Sequence, residues 1–115
     1  MKTEIKNAVI EGTMLGKEDH GIMTCFLQLD YGGASQSFGG WSLKTYGIQF
    51  IIRILEVLEV EEWEQLKGKV CRVEASLDKV HRIGHVIKDQ WFDPEKEKSN
   101  EVSNRSAADP ETSSR

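Results

Sequence analysis

The stretch GTMLGKEDHGIMTCFLQLDYGGASQSFGGW, residues 12–41, decides how the rest of the chain is read. Most of the chain's ten glycines lie in it, beside the acidic pair and histidine Glu18-Asp19-His20. At its centre, residues 22–31 alternate. Met23, Cys25, Leu27, Leu29 and Tyr31 share one face, and Ile22, Thr24, Phe26, Gln28 and Asp30 the other. A period of two marks a strand with one buried face, because successive side chains of extended chain point to opposite sides. The polar turn at 16–21 and the glycine-rich turn at 30–34 flank this strand. The stretch therefore reads as a β-meander, with Glu18-Asp19-His20 at the tip of its first hairpin.

Working outward, residues 5–15 form a strand bent at Gly12, and residues 35–43 a third strand with Gly39-Gly40 inside it. Thr45 is the expected N-cap of a helix running from Tyr46 to Leu58. Ile48, Ile51, Ile52, Leu55 and Leu58 follow the spacing of a buried face, and Phe50, Ile54 and Val57 make a second apolar row. Only Gln49, Arg53 and Glu56 are polar. A helix so apolar needs cover on more than one side, and a homo-oligomer would supply it. EEWEQL, residues 61–66, is a short helical segment ended at Gly68. Strand four spans 69–75, with Cys71, Val73 and Ala75 inward, and strand five spans 80–92 with a bend at Gly84. The expected fold is α+β: a five-stranded antiparallel, OB-like, partly open β-barrel of order β-β-β-α-β-β with one buried helix. An open antiparallel sheet with the helix on one face uses the same connectivity.

Composition divides the chain into a compact domain at 1–92 and a polar tail at 93–115. The tail holds both prolines and Val102 as its only branched aliphatic residue, too little apolar surface to offset ordering, so it is expected to be disordered. The net charge of -4 lacks the basic footprint of a general nucleic-acid binder. No 18-residue apolar run occurs and MKTEIKNAVIEG carries no signal-peptide pattern, so a soluble cytoplasmic protein with no membrane partner is expected. Cys25 and Cys71 read as free core thiols.

Catalytic and metal patterns are weak. His20, His81, His85, Cys25 and Cys71 are candidate ligands, but none shows the close spacing of a metal site, and His81 and His85 on one strand would stand roughly 13 Å apart. No nucleophile elbow or phosphate loop is present. The chain reads as a non-enzyme without a cofactor or metal. Two binding surfaces remain. Outward acids, namely Glu18 and Asp19 with His20, Asp30, and the cluster Glu61, Glu62 and Glu64, suit a basic protein partner. Alternatively Phe38 and Trp41, with Lys44, Arg72, Lys79, Arg82 and Lys88 beside them, suit a single-stranded nucleic acid. A small-ligand or nucleotide-sequestering role at the Glu18–His20 turn is a third reading. Trp91 and Phe92 are expected to pin the last strand across the core.

The segments GTMLGKEDHGIMTC, FGGW and RIGHVIKDQWFDP together resemble a family of small bacteriophage and prophage proteins. The likeness spans nearly the whole body and omits the tail. Members often carry a longer polar insert between the FGG strand and the helix, whereas WSLKT here is short. The resemblance implies a phage accessory protein in the bacterial host cytoplasm. Such proteins act without catalysis by binding a host or defence complex, as anti-CRISPR-like inhibitors do. It carries over no catalytic residue.

Overall fold

The computed structural model describes residues 2–99. Six strands occur in chain order: β1 (Glu4–Lys17), β2 (Met23–Tyr31), β3 (Ala34–Ser42), β4 (Val70–Ala75), β5 (Val80–Gly84) and β6 (Trp91–Phe92). Helix α1 (Gly47–Leu58) and a 3-10 turn (Trp63–Gln65) lie between β3 and β4, and residues 94–99 are helical. All pairings are antiparallel, in the order β3-β2-β1-β4-β5-β6.

Three bulges curl this sheet into a half-barrel, since an extra residue on one strand bends it and increases its twist. The first lies between Ile10 and Gly12, where β1 changes allegiance: residues 4–9 pair with β4, and residues 9–17 with β2. The second places Cys25 opposite Trp41 but Phe26 opposite Gly39, leaving Gly40 as the extra residue. Gly39 and Gly40 have φ of 119° and 93°, a region closed to most side chains. The third sits between Glu74 and Ala75 against β5.

The concave face holds the core. Cys25, Leu27, Leu29 and Tyr31 are buried as the alternation requires, with Cys71, Val73 and Ala75 beside them from β4. Met23 is the exception, exposed because it lies past the end of the packed region. Helix α1 lies across this face, and Phe50 meets Phe38 and Phe92 with ring centroids 5.6 Å and 5.7 Å away. Offset aromatic contacts of this kind add to the stabilisation from burial.

Four sequence expectations change. The buried row of α1 is Gly47, Phe50, Ile54, Val57 and Leu58, while Ile48 and Ile52 are exposed and Ile51 and Leu55 half-buried. Both apolar rows satisfied the helical period; the direction of approach to the sheet chose between them. Thr45 does not cap the helix. Its hydroxyl donates to the Ser42 carbonyl at 3.1 Å, and Tyr46 occupies the N-cap position. The expected fifth strand at 80–92 is two strands, because the chain turns back after Gly84 and residues 91–92 pair with 83–84, so the sheet has six strands rather than five. Arg72 holds that turn by donating to the carbonyls of His85 and Lys88, both at 2.8 Å.

The domain boundary at 92 also moves. Residues 94–99 form a helical strap with Pro94 buried. Arg53 of α1 grips Glu97 through two hydrogen bonds of 2.8 Å and 2.9 Å, and the Lys98 ammonium lies 4.8 Å from the Trp41 ring. Composition undervalued this segment because its contacts are ionic and borrowed from the body. The rest of the expected tail, 100–115, lies outside the described residues.

Candidate functional site

The hairpin between β1 and β2 is closed by its own first acid. Glu18 accepts from the backbone N–H of His20 at 2.7 Å and stands 3.2 Å from the His20 ring, while the Glu18 and Ile22 backbones bond at 3.0 Å. One oxygen of Glu18 is thus committed to the turn, leaving Asp19 and the imidazole of His20 exposed. Around them Leu15, Ile22 and Met23 are 41% to 48% exposed. Leu15 lies opposite Cys25 and Met23 two residues from it, so Leu15 and Met23 share the concave side. The tip thus presents Leu15 and Met23 on one side, with exposed Lys17 opposite Met23, and ends in Asp19 and His20.

The other predicted acids stand elsewhere. Asp30 is opposite Ser35 and Val9, nine positions along β1 from Glu18, or roughly 30 Å of strand. Glu61, Glu62 and Glu64 are exposed around the 3-10 turn, where the Gln65 side-chain carbonyl accepts from the N–H groups of Glu61 and Glu62 at 3.0 Å and 3.1 Å. Lys67 and Lys69 share a surface hollow with Glu61 and dilute the local field. No single acidic surface joins the three places.

The set proposed for base stacking is dispersed. Phe38 is in the core. Trp41 is half-buried, edge-on to Tyr46 at 5.2 Å and approached by Lys98. Lys44 and Lys79 are exposed at separate turns. Lys88 pairs with Glu59 at 2.8 Å, and Arg82 with Glu74 at 2.5 Å. The Arg72 and Arg82 guanidinium carbons lie 4.8 Å and 4.2 Å from the centroid of Trp91, and that indole covers Gly84 so closely that an added Cβ would sit 2.7 Å from the ring. The sequence did not suggest this cluster. Its one signal was Gly84, the small residue the indole needs beneath it. Trp91 thus shields the outer face of the sheet, while Phe92 alone enters the core.

His81, His85 and the two cysteines are committed too. His81 shares a 3.0 Å hydrogen bond with the Ser76 hydroxyl. His85 accepts from the N–H groups of Ile87 and Lys88, both at 3.0 Å, and its other nitrogen faces Glu59 at 3.7 Å. Glu59 has its carboxyl held below the usual value, first by the Lys88 hydrogen bonds. Among the described residues no three His, Cys, Asp or Glu gather as a metal would require. Burial pushes the Cys25 thiol up to about 11 and the Cys71 thiol up to about 12, the opposite of an activated nucleophile.

Comparison with protein-family models, curated proteins and solved structures finds no match for this chain. Among the described residues no helix is long and apolar enough to cross a membrane.

Proposed function

We propose that the protein is a non-catalytic binding protein whose contact element is the β1–β2 hairpin tip. The observation that carries the reading is the pair of exposed Leu15 and Met23 on one side of the tip, with exposed Ile22 at the turn and Glu18 and Asp19 at its end. Exposed apolar side chains rimmed by charge mark protein contact surfaces. A partner with an apolar pocket and a basic rim fits this tip. Nucleic-acid-holding grooves of bacterial defence complexes have such rims, and the resemblance to phage accessory proteins supports an inhibitory role against one of them. Glu61, Glu62 and Glu64 would form a secondary contact. The strand connectivity, with a long bent first strand serving both halves of the sheet and a helix between the third and fourth strands, supports an OB-like scaffold. Single-strand binding is the weaker reading, because Phe38 is core and Arg72 and Arg82 already face intramolecular partners.

The test compares the wild-type protein with Ile22→Ser/Asp19→Lys. Complexes captured from bacterial lysate are rebuilt with the purified partner and titrated. A saturable complex weakened at least tenfold by the tip variant supports the reading, a loss of about 1.4 kcal/mol. Equal affinity for both proteins refutes the tip as the contact. Oligonucleotide binding that falls steeply with salt would favour the single-strand reading instead.

A further inference from the structure

Strand parity puts charge where the core should continue. On β1, Ala8 and Ile10 are buried on the concave side. Glu4 and Lys6 share that side, since they stand directly opposite the buried residues Ala75 and Val73 of β4. Lys2 continues the same parity. An ordinary barrel end would carry apolar residues at these positions. Here they line an open cleft of about 640 Å³ whose other walls include Tyr31, Ala34 and Ala75. Leu77, in the turn between β4 and β5, stands at its rim with its side chain fully exposed, at 102%.

The charges in the cleft differ in availability. Lys6 and Glu4 form a 3.5 Å pair between side chains about half exposed, a contact weak enough to exchange. Asp78 accepts the Ser76 hydroxyl at 2.9 Å and so faces its own turn. Lys2 has no ion-pair partner among the described residues. The cleft therefore offers one ammonium without an ion-pair partner among the described residues, one easily released ammonium, and an apolar edge made by the exposed Leu77 and Ala34 above the largely buried Tyr31 and Ala75. Its size falls within the range of roughly 300–1,000 Å³ that holds small ligands.

We propose that this barrel mouth is a binding site for a small amphiphilic monoanion, with the acid group on Lys2 and Lys6 and the apolar body on Tyr31, Ala75 and Leu77. The site is separate from the hairpin tip and does not rest on the partner reading. Tyr31 and Leu77 lie at the opposite end of β2 and in the turn after β4, away from Glu18.

The probe is 1-anilinonaphthalene-8-sulfonate, a monoanion with an aromatic body, titrated by fluorescence into the full-length protein under native conditions. Saturable one-to-one binding is expected, with amide shifts in an 15N correlation spectrum centred on Tyr31, Ala75 and Leu77. Lys2→Glu/Lys6→Glu should weaken it at least tenfold, and Leu77→Asp about fivefold, the size expected when the ligand covers part of one leucine side chain. The neutral analogue N-phenyl-1-naphthylamine should respond to Leu77→Asp alone. Both variants alter exposed side chains, and circular dichroism is the check that each folds. The helix flank is the rival apolar surface. Unsaturable binding, shifts centred on α1, or loss of affinity in Ile48→Ser/Ile52→Ser but not in the lysine variant would overturn the proposal.

Discussion

Substituting alanine for Gly39 or Gly40 separates two reasons for a glycine in a strand. Both residues sit at the β3 bulge with positive φ, 119° and 93°. Around Gly40 nothing lies within 4 Å of an added Cβ, so its substitution meets backbone strain alone. Around Gly39 the same atom would lie 2.7 Å from the Phe50 ring, 3.0 Å from the Phe26 Cα and 3.1 Å from the Cys25 carbonyl oxygen. Two of those neighbours are backbone and cannot step aside. The third belongs to the Phe38–Phe50–Phe92 cluster at the centre of the core. Strain at such a φ costs about 1–2 kcal/mol, which is the whole expectation for Gly40→Ala. Overpacking adds about 1–3 kcal/mol, so Gly39→Ala should lose about 2–5 kcal/mol. That is a large share of the roughly 5–10 kcal/mol that stabilises a domain of this size, and it lowers the melting temperature by about 8 °C or more. Urea unfolding followed by tryptophan fluorescence and circular dichroism measures both variants. Equal losses, or a greater loss for Gly40→Ala, would refute the argument that close packing rather than φ dominates at Gly39.

Four further predictions concern ionisation and the strap. Neither cysteine should react with a disulfide reagent at pH 8 in the folded protein, while both react in denaturant; rapid native labelling would contradict their burial. The same thiols set an alkaline limit. Their folded values lie above the ordinary 9.0, so stability is full below pH 9 and falls as the pH rises toward about 11 and about 12, which a series of melts would follow. Glu74 has its carboxyl held below the usual value, first by the Thr3 hydroxyl and then by Arg82, so its contribution is present above about pH 4.5 and fades as pH falls; carbon-detected titration should find its midpoint below that of Glu74 in an Arg82→Gln/Thr3→Val protein. In a double-mutant cycle of Arg53→Met and Glu97→Gln, the half-buried pair should show a coupling of about 1 kcal/mol and faster amide exchange across 94–99; zero coupling would mean the strap is held by Pro94 and Lys98 alone.

Local periodicity carried most of the fold. Alternation across 22–31 identified the buried face of β2, and the turn chemistry at 16–21 and 30–34 set the meander in its observed order. The long first strand, the helix after β3 and the inward residues of β4 followed from the same rules. Periodicity failed where two solutions share one period. The helix has two apolar rows, and only the angle at which the sheet receives it buried Phe50 and Ile54 and left Ile48 and Ile52 outside. A turn at 85–90 without glycine or proline hid a hairpin, because it is held by the His85 ring and by Arg72, thirteen residues upstream of His85.

The candidate sites divide in the same way. Their residue types and their exposure at turns were legible, since charge and glycine mark surface turns locally. Which charges meet was not. Arg72 and Arg82 converge on Trp91 because antiparallel register sets Arg72, Gly84 and Trp91 in one row across three strands. Phe38 left the proposed stacking surface because the extra residue at Gly40 sets it and Trp41, opposite Leu27 and Cys25, on the same core-facing side, where the curled sheet packs Phe38 against Phe50. Lys2, Glu4 and Lys6 came to line the mouth of the half-barrel only because Glu4 and Lys6 pair with Ala75 and Val73. The sequence by itself determined the strands, the helix and the turns, because those depend on neighbours a few residues apart. Tertiary structure alone decided the buried face of the helix, the aromatic and ionic clusters and the cleft, because each is made by side chains that only register and curvature bring together.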